Sequence, residues 1–278
     1  MLGIVIVSYH SDERTVRFVR NELSRIGVPH RIVVVDNGVG AGNTSPLASL
    51  LPKADVLAAD NKGFAAGNNA GAAWLLERYP VSAILFTNND IHLSSDDVVD
   101  RMYRKLLDTP GIGSIGPEVV GLDGRRQSPE GYLGLWHRYV WMYYLTPFLS
   151  KEKKERLFLL DYPERAEEGS HYKISGSFFL MDADAFREIG MMDEQTFLYA
   201  EENILSDRLA NVGKTCFFFP EVRVVHEHAQ TIGASYDLKR RTWMQFESMS
   251  YYYHAYRHYP KWECRLVSLL FSLVLKLK

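Results

Sequence analysis

Cysteine is scarce in this chain, with only Cys216 and Cys264 among 278 residues. The two lie far apart and in no metal-binding spacing. This cysteine content excludes a fold stabilised by several disulfides and a zinc ribbon, and it is consistent with a reducing compartment. Charge of one sign is also lacking, because a formal net charge of −2 gives no reason to expect a nucleic-acid partner. The length allows one large α/β domain or two small lobes that share a sheet.

Long hydrophobic runs are absent as well. No stretch reaches the roughly 20 apolar residues that are needed to cross a bilayer. The opening residues, MLGIVIVSYH, have no basic leader and are typical of a first strand, not of a signal peptide. We therefore expect a soluble, cytoplasmic catalytic body, without internal repeats or a low-complexity linker.

Short apolar strands alternate with helices in the first part of the chain. The pattern predicts strands at 2–8, 31–36, 54–58 and 82–87, and helices at 12–26, 64–79 and from a Ser94 or Ser95 cap to about 107. Such alternation is typical of a doubly wound, mostly parallel α/β sheet, whose ligands bind beyond the carboxyl ends of the strands. Asp36, Asn61 and Asp90 all stand at or just after such ends.

The pattern changes after residue 116. A turn-rich stretch at 121–131 is followed by aromatic residues at 132–149 and by a charge run at 151–156, which predicts a solvated helix face. Further on, the pattern predicts strands at 173–181, 215–219 and 222–226, helices from about 184 and at 201–212, and helical structure from 237 to the end.

Two polar segments at strand ends have both a structural and a functional interpretation. Asp36 begins an Asp-Asn-Gly turn that needs no function, or it offers a carboxylate to a base or ribose. In the segment from Asp60 to Asn69, Gly63 and Gly67 permit close backbone approach at a helix N-terminus, which favours a phosphate or a sugar hydroxyl. Close helix packing explains the small residues but not the asparagines.

Candidate ligands and bases follow later in the chain. Asn88-Asn89-Asp90 supplies oxygen ligands for a divalent cation, although a loop aspartate is otherwise unremarkable. Glu201-Glu202 begins a helix and offers either a general base or carboxylates that complement the helix dipole. His226 is a possible metal ligand, but a lone histidine is more often structural, and His228 stands nearby.

The order of these motifs resembles a known family. The series VVVDN, NKGFAAGNN, TNND, SGSFFLMDADAFREIGMMDEQTFLYAEENILSDRL and VRVVHEH is similar to the second family of inverting glycosyltransferases, above all to its rhamnosyltransferase-like branch, which works on polysaccharide and O-antigen chains. The resemblance covers about 2–233. It implies a GT-A-like fold, with a nucleotide-sugar donor-binding half (1–116), an acceptor and catalytic half of the same domain (117–236) and a helical tail (237–278).

The resemblance also implies an activity and roles for particular residues. A sugar would pass, with inversion, from a nucleotide diphosphate donor to a hydroxyl of a polysaccharide or lipid-linked glycan, with Mg²⁺ or Mn²⁺ as cofactor. dTDP-rhamnose is the first expectation for the donor and a UDP-hexose the second. The implied roles are catalytic base for Glu202, metal binding for Asp90 and His226, acceptor contact for Gly176, Ser177 and Glu201, and donor binding for Asp36, Asn61, Gly63, Phe64, Gly67, Asn68 and Asn88.

Two departures from the family pattern leave alternatives open. The usual Glu-Asp pair is Glu-Glu here, so the base is one methylene longer, and Ile204 replaces an aspartate that often follows. A catalytically impaired nucleotide-sugar-binding protein is therefore the main alternative. A nucleotidyltransferase would need a basic, glycine-rich loop after the first strand, and Ser8-Tyr9-His10-Ser11 is not one.

The last residues form an apolar segment with two interpretations. The run LVSLLFSLVL at 266–275 precedes Lys276 and Lys278 and is too short to span a bilayer. It could lie on the inner face of the plasma membrane as a peripheral contact. Alternatively, it packs on the body of the protein or on a second subunit in a homodimer. The aromatics Trp136, Tyr139, Trp141, Tyr143 and Tyr144 could line the same face or stack on acceptor sugars.

Overall fold

The fold was analysed in a computed structural model, which describes residues 1–144, 148–150, 153, 166–227 and 237–277. The charge run predicted as a helix at 151–156 lies outside the described residues, apart from residue 153.

The first half of the sheet is parallel, as predicted. Its strands run in the order β3-β2-β1-β4 and are β1 (Leu2–Ser8), β2 (His30–Asp36), β3 (Asp55–Ala58) and β4 (Ala83–Thr87). The connecting helices are α1 (Asp12–Asn21), α2 (Leu47–Leu50) and α3 (Phe64–Arg78). Ser8 is in register with Asp36, and the carboxyl ends of the strands therefore share one edge of the sheet.

The second half of the sheet is mixed. It contains β5 (Ile91–Leu93), α4 (Val98–Asp108), β6 (Ile112–Gly121), β7 (Gly169–His171), β8 (Phe178–Asp182), α6 (Ala183–Glu188), α7 (Glu201–Asn211) and β9 (Thr215–His226). The strand order continues β4-β8-β6-β9-β5, with β7 also paired to β9. β8 is antiparallel to both of its neighbours, whereas β6 and β9 are parallel. The α/β class is confirmed, but the sheet is less parallel than the alternation in the first half indicates.

Several helices and strands differ from those predicted, for identifiable reasons. β5 was not predicted, because a strand of only three residues leaves little pattern; it pairs antiparallel with the end of β9. Ser94 and Ser95 do not cap α4, since the residue before the helix is Asp97, which accepts a hydrogen bond from Ser95 Oγ at 2.5 Å. The strands predicted at 215–219 and 222–226 form one strand, whose pairing with β6 shifts register beside Pro117.

Apolar side chains cover both faces of the sheet. One cluster includes Ile4, Leu85, Met102 and Leu180, and a second, on the opposite face, includes Val5, Phe86, Phe179 and Leu205. Helix α3 approaches the sheet so closely that a Cβ on Gly71 would overlap the side chain of Val5. Small residues in α3 therefore have a packing role.

A third cluster attaches the C-terminal helices α8 (Leu238–Ala255) and α9 (Lys261–Leu277). These helices pack on a π-helical turn, His137–Trp141, that continues as α5 (Met142–Tyr144), and the Tyr139 and Phe271 ring centroids lie 5.0 Å apart. Ile204 of α7 belongs to the same cluster. Within the described part of the chain, no helix is both long and apolar enough to cross a membrane.

Candidate active site

A cleft of about 1050 Å³ opens at the carboxyl edge of the parallel strands. Its lining includes residues that follow β1, β2 and β4, among them Tyr9, His10, Arg14, Asp36, Asn89 and Asp90. Asp36 is buried, and its carboxylate accepts hydrogen bonds from the Gly38 amide at 2.9 Å and from Ser45 Oγ at 2.5 Å. The predicted donor residue thus lies in the cleft with its orientation fixed.

The predicted donor-binding segment around Asn61, at the start of α3, contacts the residues that precede α7. The Phe64 amide donates to the Phe197 carbonyl at 2.9 Å, and Gly63 has φ +103° where a Cβ would overlap the backbone of Phe197. Only glycine fits there, since the position combines a left-handed φ with direct backbone contact. Asn61 accepts from the Gly63 amide at 3.2 Å, and Asn68 donates to the Phe64 carbonyl at 3.0 Å.

None of Asn61, Gly63, Phe64, Gly67 and Asn68 lines the 1050 Å³ cleft. A Cβ on Gly67 would contact the side chain of Asn37, the residue after Asp36. The donor role of this segment stays a prediction, and its visible role is to hold α3 against the residues before Glu201.

The two predicted metal ligands meet at the end of the cleft. Nε2 of His226 lies 3.2 Å from Oδ1 of Asp90, and 3.4 Å from Nδ2 of Asn88. The contact follows from the sheet, because β5 pairs Ile91 with His226. Burial opposes ionisation of Asp90, but the His226 ring and then the Arg14 guanidinium outweigh it and hold the pKa of Asp90 below its ordinary value.

The geometry of this pair fits a cation. Asp90 Oδ1 is buried without a hydrogen bond of acceptable geometry, despite its closeness to His226. Oε1 of Gln127 lies 2.8 Å from Nδ1 of His226, so Gln127 holds the ring with Nε2 as the nitrogen that faces Asp90. Among the described residues no group of three or more His, Cys, Asp and Glu could hold a metal. Donor phosphates and water would have to complete the shell.

The predicted base lies against a glycine. Glu202, at the start of α7, contacts Gly176 so closely that a Cβ there would overlap its carboxylate. The carbonyl of the neighbouring Ser177 accepts a hydrogen bond from the backbone N–H of Asn88 at 2.8 Å. Two adjacent residues, Gly176 and Ser177, therefore join the base to the strand end that carries Asp90.

Glu201 points into the protein. Burial, and then the neighbouring Glu202 carboxylate, raise the pKa of Glu201 well above its ordinary value. The preceding residues Tyr199 and Ala200 have φ of +73° and +72°, a left-handed conformation that is strained for non-glycine residues. The Leu198 carbonyl accepts from Ser248 Oγ of α8 at 2.7 Å, one of the contacts that hold this turn in place.

Sequence reasoning missed two groups of residues near the site. His10 and Arg14 line the cleft, and the polar stretch that follows β1 could have indicated them as site residues. Gln127 contacts His226, and Glu130 forms an ion pair with Lys173 at 2.8 Å. The stretch at 121–131 showed only turn-forming residues, and no local pattern indicates which distant residues it contacts.

Comparisons with known proteins agree with the motifs. No family model matches the chain. It is 25% identical over 246 residues to the N-acetylglucosaminyl-diphospho-decaprenol L-rhamnosyltransferase of Mycobacterium tuberculosis, covering 84% of this chain and 78% of that protein. The low-salt glycan biosynthesis hexosyltransferase Agl10 of Haloferax volcanii is 26% identical over 208 residues, covering 72% of this chain and 59% of that protein.

A solved structure shows the fold. The mannosyltransferase PcManGT from Pyrobaculum calidifontis, in complex with GDP-Man and Mn²⁺, matches with a TM-score of 0.58 at 11% identity, covering 94% of this chain and 65% of that chain. The predicted resemblance is thus confirmed: this chain has the GT-A fold and is similar to the rhamnosyltransferase-like glycosyltransferases of family 2.

Proposed function

We propose that this protein transfers a sugar, with inversion, from a nucleotide diphosphate donor to a hydroxyl of a polysaccharide or lipid-linked glycan. The observation that carries the proposal is a series of contacts that starts at Asp90, in the cleft, and runs through His226, Asn88, Ser177 and Gly176 to Glu202. These contacts link the proposed cation-binding pair to the proposed carboxylate base. A metal-dependent, inverting transfer of a glycosyl group uses both.

The family resemblance supplies the proposed roles of the other residues. Asp36 and Asn88 contact the donor, and the segment from Asn61 to Asn68 shapes its pocket. Gly176 and Ser177 form the acceptor side, which the buried Glu201 supports without contacting the acceptor. A divalent cation, Mg²⁺ or Mn²⁺, held by Asp90 and His226 would neutralise the charge that grows on the departing diphosphate. The neighbour that binds GDP-Man and Mn²⁺ supports this assignment.

Glu202 is the proposed base. Its carboxylate accepts the proton of the acceptor hydroxyl, whose oxygen forms a bond to the anomeric carbon. The bond from that carbon to the phosphate oxygen breaks, and the nucleotide diphosphate leaves with the electron pair. Attack opposite the leaving group inverts the anomeric centre. The extra methylene of Glu202 finds room because residue 176 has no side chain.

The donor is proposed to be dTDP-rhamnose, with a UDP-hexose as the second candidate. The similarity to a protein named an L-rhamnosyltransferase supports the first, and the similarity to one named a hexosyltransferase supports the second. A screen of nucleotide sugars for thermal stabilisation, with and without Mn²⁺ or Mg²⁺, tests the choice. We expect metal-dependent stabilisation by one donor; stabilisation by none would contradict the proposed activity.

A nucleotide-sugar-binding protein without turnover is the alternative. Glu202→Gln keeps the shape but removes the base, so kcat should fall by roughly 10²–10⁴ while donor affinity changes little. Glu188→Gln, at an exposed carboxylate at the end of α6, is the matched control. Loss in Glu201→Gln alone would move the base by one residue, and donor binding without product in the wild type would support the alternative.

Helix α9 supports a proposal about where the protein works. One face, with Val267 and Phe271, is fully buried against α8 and the π-helical turn. The opposite face exposes an apolar surface of Trp262, Leu266, Leu269 and Leu273. Tyr144 lies beside it, since its hydroxyl donates to the Leu270 carbonyl at 2.8 Å. The packing interpretation of the tail is thus correct for one face and leaves the other uncovered within the described part of the chain.

The charge near the apolar surface favours an anionic membrane as its occupant. Lys261 and Arg265 are exposed on α9, and from residue 237 onward eight Lys and Arg stand against three acidic residues. Tryptophan and tyrosine beside cations are typical of a membrane interface. A lipid-linked acceptor, as in the name of the mycobacterial relative, would lie at that surface.

Point variants test this better than a truncation, which would remove Val267 and Phe271 from the core. The double variant Leu266→Gln, Leu269→Gln should lose co-sedimentation with anionic vesicles at low salt, whereas Leu107→Gln, an exposed leucine on α4, should keep it. If the wild type stays in the supernatant, the membrane proposal is wrong. A homodimer that the double variant disrupts would then identify a second copy as the occupant.

A further inference from the structure

Tyr132 is an exposed aromatic side chain in the stretch that follows β6, and it is 39% exposed. The guanidinium carbon of Arg257 lies over the ring, 4.4 Å from its centroid. The ring of Tyr172 packs against it at an interplanar angle of 74°, with the two centroids 5.4 Å apart. Because Arg257 covers one face of the Tyr132 ring, the exposed area lies elsewhere on that ring.

The partners of Tyr132 are held in fixed positions. Nε of Arg257 donates to the Tyr252 hydroxyl at 2.6 Å, and its Nη2 donates to Oδ1 of Asp207 at 2.8 Å. The hydroxyl oxygens of Tyr172 and Tyr252 lie 2.7 Å apart. A guanidinium has five N–H groups, which is more than these two hydrogen bonds use. The surface therefore presents a fixed aromatic ring with a fixed cation behind it.

The same cluster reaches the helix that carries the proposed base. Asn203, which follows Glu202 on α7, donates to the Tyr172 hydroxyl at 3.0 Å. Gly176, which contacts Glu202, comes four residues after Tyr172, and four residues span at most about 14 Å. The contacts of Tyr132 thus lead to the base through Tyr172 and Asn203, at a distance that a short chain of sugar residues can bridge.

The loop before Tyr132 runs antiparallel to the segment that ends at Gly176. Glu130 and Lys173 form an isolated antiparallel bridge. The Oγ of Ser128 accepts a hydrogen bond at 3.2 Å from the backbone N–H of the residue just before Gly176. The loop therefore leads outward from the base side of the site to Tyr132.

We propose that Tyr132, with Arg257 behind it, is a stacking platform for a sugar residue of the acceptor glycan, away from the hydroxyl that receives the new sugar. The inference rests on the proposed transfer to a glycan. An aromatic face packs against the apolar C–H face of a pyranose ring, and guanidinium N–H groups donate to the sugar hydroxyls at its edge. Tyr139 and Tyr144, by contrast, pack on α9. The platform gives the enzyme a preference for glycan chains over single sugars.

A structural tether and a sugar platform predict different kinetics. If Tyr132 only anchors its loop to Arg257, loss of the ring affects every acceptor alike. If Tyr132 is a platform, loss of the ring affects only acceptors that are long enough to reach it. Tyr132→Phe separates the ring from its hydroxyl, because stacking needs the face of the ring alone.

The test is steady-state transfer, by the full chain and its preferred donor, to two probes, the β-octyl glycosides of N-acetylglucosamine and of its linear trimer. In the wild type the KM should be lower for the trimer. Tyr132→Ala should raise the KM of the trimer about tenfold and change kcat and the KM of the monosaccharide less than about twofold. Tyr132→Phe should keep the wild-type values. Tyr144→Ala, at a side chain 37% exposed, is the control and should keep the preference for the trimer.

A loss confined to the trimer in Tyr132→Ala supports the proposal. Equal losses for both probes, no loss, or the same loss in Tyr144→Ala overturn it. A wild type that binds a donor but does not prefer the trimer, or transfers to neither probe, overturns it as well. If Tyr132→Ala fails to fold, Tyr132→Leu replaces it, because leucine keeps bulk without a planar face. A wild type that binds no donor would instead contradict the proposed function, so the two failures are distinguishable.

Discussion

The donor side and the base side of the site are held by contacts of different reach along the chain. The Asp36 carboxylate is fixed by Gly38 and Ser45, which follow it within nine residues. Glu202 instead contacts Gly176, and the next residue on α7, Asn203, accepts from Lys173, which forms an ion pair with Glu130. The first arrangement is a turn that a short peptide pattern can specify. The second exists only after the chain has folded.

The C-terminal helices extend this difference. Asp207, which lies on α7 five residues after Glu202, accepts hydrogen bonds from Tyr252 at 2.9 Å and from Arg257 at 2.8 Å. Asp193, just before α7, accepts from Tyr251 at 2.9 Å and from Tyr256 at 2.6 Å. Helix α8 therefore stabilises the helix that carries the proposed base. The positions of the cleft residues after β1 and β2 are instead set by the parallel sheet.

The largest expected effect is on the donor side, from Asp90→Ala. The variant should abolish transfer and the metal-dependent part of donor binding, since the remaining His226 is a poor site alone. The fold should persist, because Asp90 follows β4 outside the strand and its Oδ1 is buried without a hydrogen bond of acceptable geometry. Calorimetric titration of the donor with Mn²⁺ and with chelator checks both statements. The control is Asp184→Ala, because the side chain of Asp184 is 93% exposed. If Asp90→Ala keeps wild-type activity in chelator-treated buffer, the metal assignment is wrong.

A smaller effect is expected on the base side, from Gly176→Ala. The new Cβ would overlap the Glu202 carboxylate, so the end of that side chain must move while its charge remains. A displaced base should lower kcat by roughly 10–10²-fold with little change in donor affinity. Steady-state kinetics measure this, with Gly124→Ala in the exposed turn after β6 as a control for loss of a glycine. A kcat equal to that of the wild type would show that the close contact has no role in catalysis.

The smallest effect on activity is expected from Tyr252→Phe in α8. The hydroxyl contacts Asp207, Tyr172 and Arg257, and its loss should reduce the free energy of unfolding by about 1–2 kcal/mol. The Asp207–Arg257 pair remains, so kcat should stay within about twofold. Denaturant unfolding checks the stability, and Tyr103→Phe, which loses one partly buried contact with Ser82, is the matched control on the donor side. Equal losses in the two variants would remove the distinction between the two sides.

Local residue patterns were enough to predict the α/β class, the strand ends that carry Asp36 and Asp90, and the helix that begins at Glu201. Hydrophobic runs bounded by polar turns specify these elements because the pattern acts over a few residues. The order of motifs also determined the family resemblance, since each motif is a local string. The roles of the individual site residues stay predictions.

The contacts between distant residues come from the folded chain. β5 brings Asp90 to His226, and the loop after β6 brings Gln127 to His226 and Glu130 to Lys173. The strand predicted from 173 begins only at Phe178, and Lys173 forms an isolated bridge with Glu130. The tertiary structure also decided that one face of α9 is buried and the other exposed. A sequence pattern carries no register between strands that are far apart in the chain, and register is what sets these pairs.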